Sequence, residues 1–203
     1  SAKGMLAKLY LTMAQNGVWS PKVDLAGSAR SKSLSFSIGT KGYIGSGSNA
    51  TIETMDLWEY DQVNGTWTQK ANIGNVGRVN GVGFSIGNKG YAGLGLYNGQ
   101  SKNDFWEYNP QNNTWTQKAF YPGTGKISAV GFSIGDFGYI GTGSSVSTIG
   151  NETKQFWQYN PADNSWTQKA DFAGIARDRA VGFSIDSKGY IGTGYDYNGG
   201  NST

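Results

Sequence analysis

The chain has 203 residues, a formal net charge of +3, 32 glycines, 14% aromatic residues and only 15% charged residues. That aromatic content excludes a disordered chain, and the low charge excludes a coiled coil or helix bundle. The chain has no His and no Cys, which removes Ser-His-Asp and Cys-His triads, thiolate nucleophiles, imidazole or cysteine metal sites and disulfides.

In chain order, residues 5–14 (MLAKLYLTMA) form the longest apolar stretch. It is shorter than the ~20 residues of a membrane span. It reads as a strand rather than the remnant of a signal peptide, for which Thr12-Met13-Ala14 would be a loose cleavage site. From Trp19 onward the sequence repeats itself. A Trp stands at 19, 67, 115 and 166, a Phe-Ser-Ile at Phe36, Phe84, Phe132 and Phe183, and a Gly-Tyr at Tyr43, Tyr91, Tyr139 and Tyr190, each series stepping by 48, 48 and 51 residues. A Trp-Glu/Gln-Tyr appears at Trp58, Trp106 and Trp157. The repeats run about 19–66, 67–114, 115–165 and 166–203, the last completed by residues 5–18.

Each unit predicts four strands. The first is apolar, as in Ala129 to Ile134, and a Gly-Asn-Lys-Gly turn leads to a second such as Tyr91 to Leu94. After a variable polar loop comes an alternating third strand, Phe105 to Tyr108. An Asn-rich turn hairpins it to the fourth, Thr114 to Lys118. Four strands repeating every 40–50 residues or so are the pattern of a β-propeller blade.

The unit resembles the kelch repeat, with Gly45-Ser46-Gly47, Tyr60 and Trp67 in one copy and Gly141-Thr142-Gly143, Tyr159 and Trp166 in another. It departs from that family by splitting the usual Gly-Gly pair. The wording FSIGxKGYIGTG with WEYNPxxNxWTQKA resembles secreted bacterial kelch proteins of the Bacteroidetes type. The resemblance implies a secreted or cell-surface repeat protein. It also implies an all-β kelch-like propeller; counting the strands gives one domain over residues 1–203 with four four-stranded blades, fewer than kelch rings usually have. Residues 9–19 align with residues 57–67, so the N-terminal strands are expected to complete the last blade and close the ring. The matching ends favour a closed monomer over a dimer with an eight-blade ring, and over a piece of a longer protein.

A cation stands six residues before each Phe-Ser-Ile: Arg30, Arg78, Lys126 and Arg177. Four such charges at the mouth of a central channel would draw an anion, and some kelch domains bind acidic peptides there through arginines. The competing expectation is that each cation bonds backbone carbonyls or a nearby acid such as Asp24 or Asp171. The variable loops share this rim and carry Tyr97, Tyr195 and Tyr197, in surroundings suited to sugars or polar proteins. The tryptophans occupy blade-packing positions.

Glu59 and Glu107 share a register that becomes Gln158, and Asp56 and Asp104 one that becomes Gln155. Neither set marks an acid/base pair. No catalytic residue, metal site or cofactor is therefore expected, and no nucleic acid or membrane partner. The function that fits is a non-catalytic module binding a protein or glycan, with an acidic group as the candidate ligand. Kelch-type enzymes include copper oxidases, which the lack of His and Cys excludes here, and sialic-acid mutarotases, which the arginines leave open. A purely structural repeat of a surface protein is the remaining alternative.

Overall fold

The structure is a computed structural model and describes residues 10–11, 20–49, 51–145 and 150–196. These residues form strands and no helix. The first hairpin joins β1 (Tyr10–Leu11) to β2 (Ser20–Pro21). The first four-stranded antiparallel sheet runs β3 (Leu34–Ile38), β4 (Lys41–Gly45), β5 (Leu57–Asp61) and β6 (Thr66–Lys70). The second has β7 (Val82–Ile86) and β8 (Lys89–Gly93). A small hairpin follows, β9 (Leu96–Tyr97) and β10 (Gln100–Ser101), before β11 (Phe105–Asn109) and β12 (Thr114–Gln117) complete the sheet. The third has β13 (Val130–Ile134), β14 (Phe137–Gly141), β15 (Phe156–Asn160) and β16 (Ser165–Lys169). The last pair is β17 (Val181–Ile185) and β18 (Lys188–Gly192).

The sheets stack face to face through the repeat residues, β3 on β7, β7 on β13 and β13 on β17. On each first strand, side chains at alternating positions face the next sheet. Phe36 fills the space over Gly90, Phe84 that over Gly138 and Phe132 that over Gly189. Glycine is required there because a Cβ on Gly90 would lie 2.4 Å from the Phe36 ring. The outer strands are tied by indole donors: Trp67 Nε1 to Val23 O, Trp115 Nε1 to Ala71 O and Trp166 Nε1 to Ala119 O. That is the packing role expected of these tryptophans; Trp19 lies outside the described residues.

The hairpin β1–β2 sets Tyr10 opposite Pro21 and Leu11 opposite Ser20, the register of Trp58–Gln69 and Glu59–Thr68 moved back by one repeat. It is therefore an outer hairpin of the expected kind. Among the described residues β1 pairs only with β2 and β18 only with β17, so the expected closing of the last blade is not among the described pairings. The outward side of β17 and β18 stays open to solvent, with Val181 at 61% and Phe183 at 51% exposure, where the equivalent Val82 and Phe84 are buried.

Candidate functional site

The segment before each first strand meets the loop that follows the second strand. Backbone bridges join Ser31 to Ser48, Val79 to Leu96, Ile127 to Ser144 and Asp178 to Tyr195. Chain start and variable loop therefore share one rim, as the repeat register implied. Of the four repeated cations, Arg78, Lys126 and Arg177 are buried, and the side chain of Arg30 is 3% exposed. Arg30 makes a two-pronged ion pair with Asp56, one prong at 2.6 Å, and Arg78 one with Asp104 at 2.8 and 2.6 Å. Arg177 donates to the carbonyls of Ile175 and Thr193, at 3.1 and 2.6 Å, and lies over the Phe172 ring.

Lys126 is 5% exposed and forms no ion pair among the described residues. The picture of four cations presented together at the mouth is thus corrected for Arg30 and Arg78. Their charge is spent on aspartates of the same sheet, not on Asp24 or Asp171. Asp56 and Asp104 lose solvent on burial, which alone would raise their carboxyls; hydrogen bonds and charge from Arg30 and Arg78 hold them below the usual carboxylate range.

Two residues further on, the backbone turns. Lys32, Asn80, Ser128 and Arg179 all adopt left-handed backbone, with φ of 59, 54, 53 and 54°. They are chained by backbone bonds: Asn80 N to Lys32 O at 3.0 Å, Ser128 N to Asn80 O at 2.9 Å and Arg179 N to Ser128 O at 3.0 Å. Together they line a cavity of about 240 Å³. Sequence reasoning did not single out this set. The signal was present, since these positions step by 48, 48 and 51 like the motifs, but their residue types differ from repeat to repeat.

Tyr97 sits in the β9–β10 hairpin, whose Asn98-Gly99 turn has the positive φ angles that such turns need. It lines a groove of about 470 Å³ between the first two sheets, with Asn49, Glu53, Asn72 and Asn75. Lys102 lies over its ring at 5.5 Å. Tyr195 is held in the bridge to Asp178. Tyr197 lies outside the described residues.

The other carboxylates mostly have structural partners. Glu59 accepts from Tyr43 at 2.6 Å and pairs with Lys70; Glu107 accepts from Tyr91 at 2.7 Å and pairs with Lys118. Gln158, at the same register, donates to Tyr139 instead. Asp178 is different. It is 3% exposed, burial raises its carboxyl, nearby Arg179 offsets this and nearby Glu152 adds to it. Among the described residues, no three of His, Cys, Asp and Glu gather as a metal site.

No family model matches the sequence, and no curated protein does. Among solved structures, 186 chains match. One is YjhT, a kelch-like β-propeller, with a TM-score of 0.78 at 13% identity, covering 96% of this chain and 68% of that one. With its stacked four-stranded antiparallel sheets, the chain has a kelch-like β-propeller fold.

Proposed function

We propose that the chain is a non-catalytic binding module that takes an acidic group of a protein or glycan at the rim where the first strands begin. The observation that carries this reading is that Lys32, Asn80, Ser128 and Arg179, one from each repeat, line a single cavity. Two cations and two polar residues line it on a backbone fixed by cross-sheet hydrogen bonds, with Arg179 3.9 Å from Asp178. Convergent charge in a concave site attracts an anion, and a rigid frame lowers the ordering cost of binding it. The neighbouring groove, lined by asparagines and Tyr97, supplies hydrogen bonds and an aromatic face for the rest of a ligand. A secreted or cell-surface bacterial setting follows from the sequence resemblance and belongs to the same proposal.

The test is capture on an array of acidic glycans and acidic peptides, each beside its neutral counterpart. The expected result is retention of acidic ligands, falling at least ~10-fold, or about 1.4 kcal/mol, in the double variant Lys32→Glu with Arg179→Glu, with Tm unchanged. Equal retention by that variant, or no acidic ligand at all, overturns the reading. So does turnover: exchange at the ring carbon of an acidic sugar, lost in Asp178→Asn, would make the buried Asp178 beside Glu152 a general acid and the chain an enzyme.

A further inference from the structure

In the first two sheets a single carboxylate satisfies two kinds of donor. Asp56 accepts from Arg30 and from Trp58 Nε1 at 2.7 Å; Asp104 accepts from Arg78 and from Trp106 Nε1 at 2.7 Å. The third sheet keeps the donors and lacks the acceptor. Lys126 stands at the register of the arginines, Trp157 at that of the two indoles, and Gln155 where the aspartates stand.

The backbone around Lys126 repeats that of Arg78. Lys126 N donates to Lys102 O at 3.1 Å and its carbonyl accepts from Gly95 N at 2.7 Å; Arg78 N donates to Thr54 O at 3.1 Å and its carbonyl accepts from Gly47 N at 2.8 Å. Gln155 is exposed and is held through its backbone by Thr142 and Thr153. Among the described residues, the buried Trp157 Nε1 has no acceptor. The hydroxyl of Tyr121, whose ring meets Trp157 edge-on at 6.4 Å, is likewise buried without a partner. Burial pushes the Lys126 ammonium below the usual lysine range, as expected for a cation lacking its counter-charge. Buried donors left unmet are costly, and an acceptor of opposite charge removes that cost.

We propose that the third blade binds an external carboxylate in the place that Asp56 and Asp104 fill in the first two, held by the Lys126 ammonium and the Trp157 indole N–H. The ligand class is a small carboxylate, or the carboxyl of a larger acidic sugar or peptide. The proposal rests on the binding-module reading and names the group that is read and where.

The test uses the full chain labelled with ¹⁵N, the Trp157 indole resonance assigned through Trp157→Phe, and acetate as the probe against chloride at matched ionic strength. Acetate is expected to move the Trp157 indole resonance saturably, while those of Trp58 and Trp106 stay in place. Gln155→Asp supplies the carboxylate from within, so its resonance should begin displaced, ignore acetate, and come with a higher Tm. Lys126→Met should weaken the acetate response at least ~10-fold; where that variant fails to fold, Gln155→Asp decides. A wild-type indole that does not respond, or a Gln155→Asp variant that titrates like wild type, overturns the proposal.

A uronic acid and an acidic peptide, compared next, separate the two sources of the carboxylate. Lys32→Glu with Arg179→Glu should leave the acetate response intact. Rim capture that survives without an acetate response therefore sinks this site alone, and the reverse result sinks only the rim.

Discussion

The Arg78 side chain is fully buried and its guanidinium is matched in charge by Asp104, which is 13% exposed. Removing one member of such a pair strands the other in a medium that solvates it poorly, at a cost of about 3–5 kcal/mol. Asp104→Ala is therefore expected to lower Tm by on the order of 10 °C for a chain of this size, measured by calorimetry, and an unchanged Tm would contradict the pairing. The same pair sets an acid limb. A carboxylate held low in the folded state contributes stability above its unfolded value of about 3.9, and that contribution is lost as pH falls through the folded value. Stability should drop from about pH 4 downward, and less steeply in Asp104→Asn.

The register of the cations was legible because they stand at a fixed distance from Phe-Ser-Ile. Their partners were not, because the aspartates stand just before the third strand, 26 residues further on in each of the first two sheets. Only folding of the sheet brings first-strand start and third-strand start together.

At the scale of the strands, the repeat specified type and order, and the hairpins fall where the Gly and Asn turns predict. Boundaries moved by one or two residues: the second strand expected at Tyr91 to Leu94 runs Lys89–Gly93. The β9–β10 hairpin within a variable loop was not foreseen, since it occurs once and is not part of the repeat. What the sequence also hid was why the Gly-Tyr glycine recurs. It marks where one blade accepts the phenylalanine of the blade before it. Gly90→Ala would drive a Cβ into the Phe36 ring, and overpacking of this kind costs about 1–3 kcal/mol. Gly87→Ala, where an added Cβ meets nothing but φ is +56°, serves as the contrast. Paired chemical denaturation should show the midpoint of Gly90→Ala falling together with loss of the Phe36–Trp115 edge contact, read from ring-proton shifts. In Gly87→Ala the rings should stay in place whatever strain the turn adds.

At the scale of the whole molecule the decisive feature is that the same interface recurs between successive sheets, while among the described residues each end of the stack keeps one half of it exposed. At one end Val181, Phe183, Ile185 and Tyr190 present the apolar knobs that the equivalent residues bury elsewhere. At the other, among the described residues Gly42 has only Tyr60 Cβ near its missing side chain, at 4.0 Å, and lines a cavity of about 350 Å³ with Tyr60 and Trp67. Knob and socket are complementary and different, so two copies can join head to tail, an arrangement that either closes into a ring or continues. The socket is imperfect. Ser35 stands where Gly83, Gly131 and Gly182 leave room, and a Cβ at Gly182 would lie 2.1 Å from Val130. The fit between copies should therefore be weaker than the fit between blades. Light scattering behind a sizing column is expected to give a mass that rises with concentration. Phe183→Ser should hold it at the monomer value and Ser35→Gly should shift the rise to lower concentration. A monomer near 21.7 kDa at every concentration, unaffected by either change, would mean that these faces are covered within one chain, as the matching ends of the repeat first suggested.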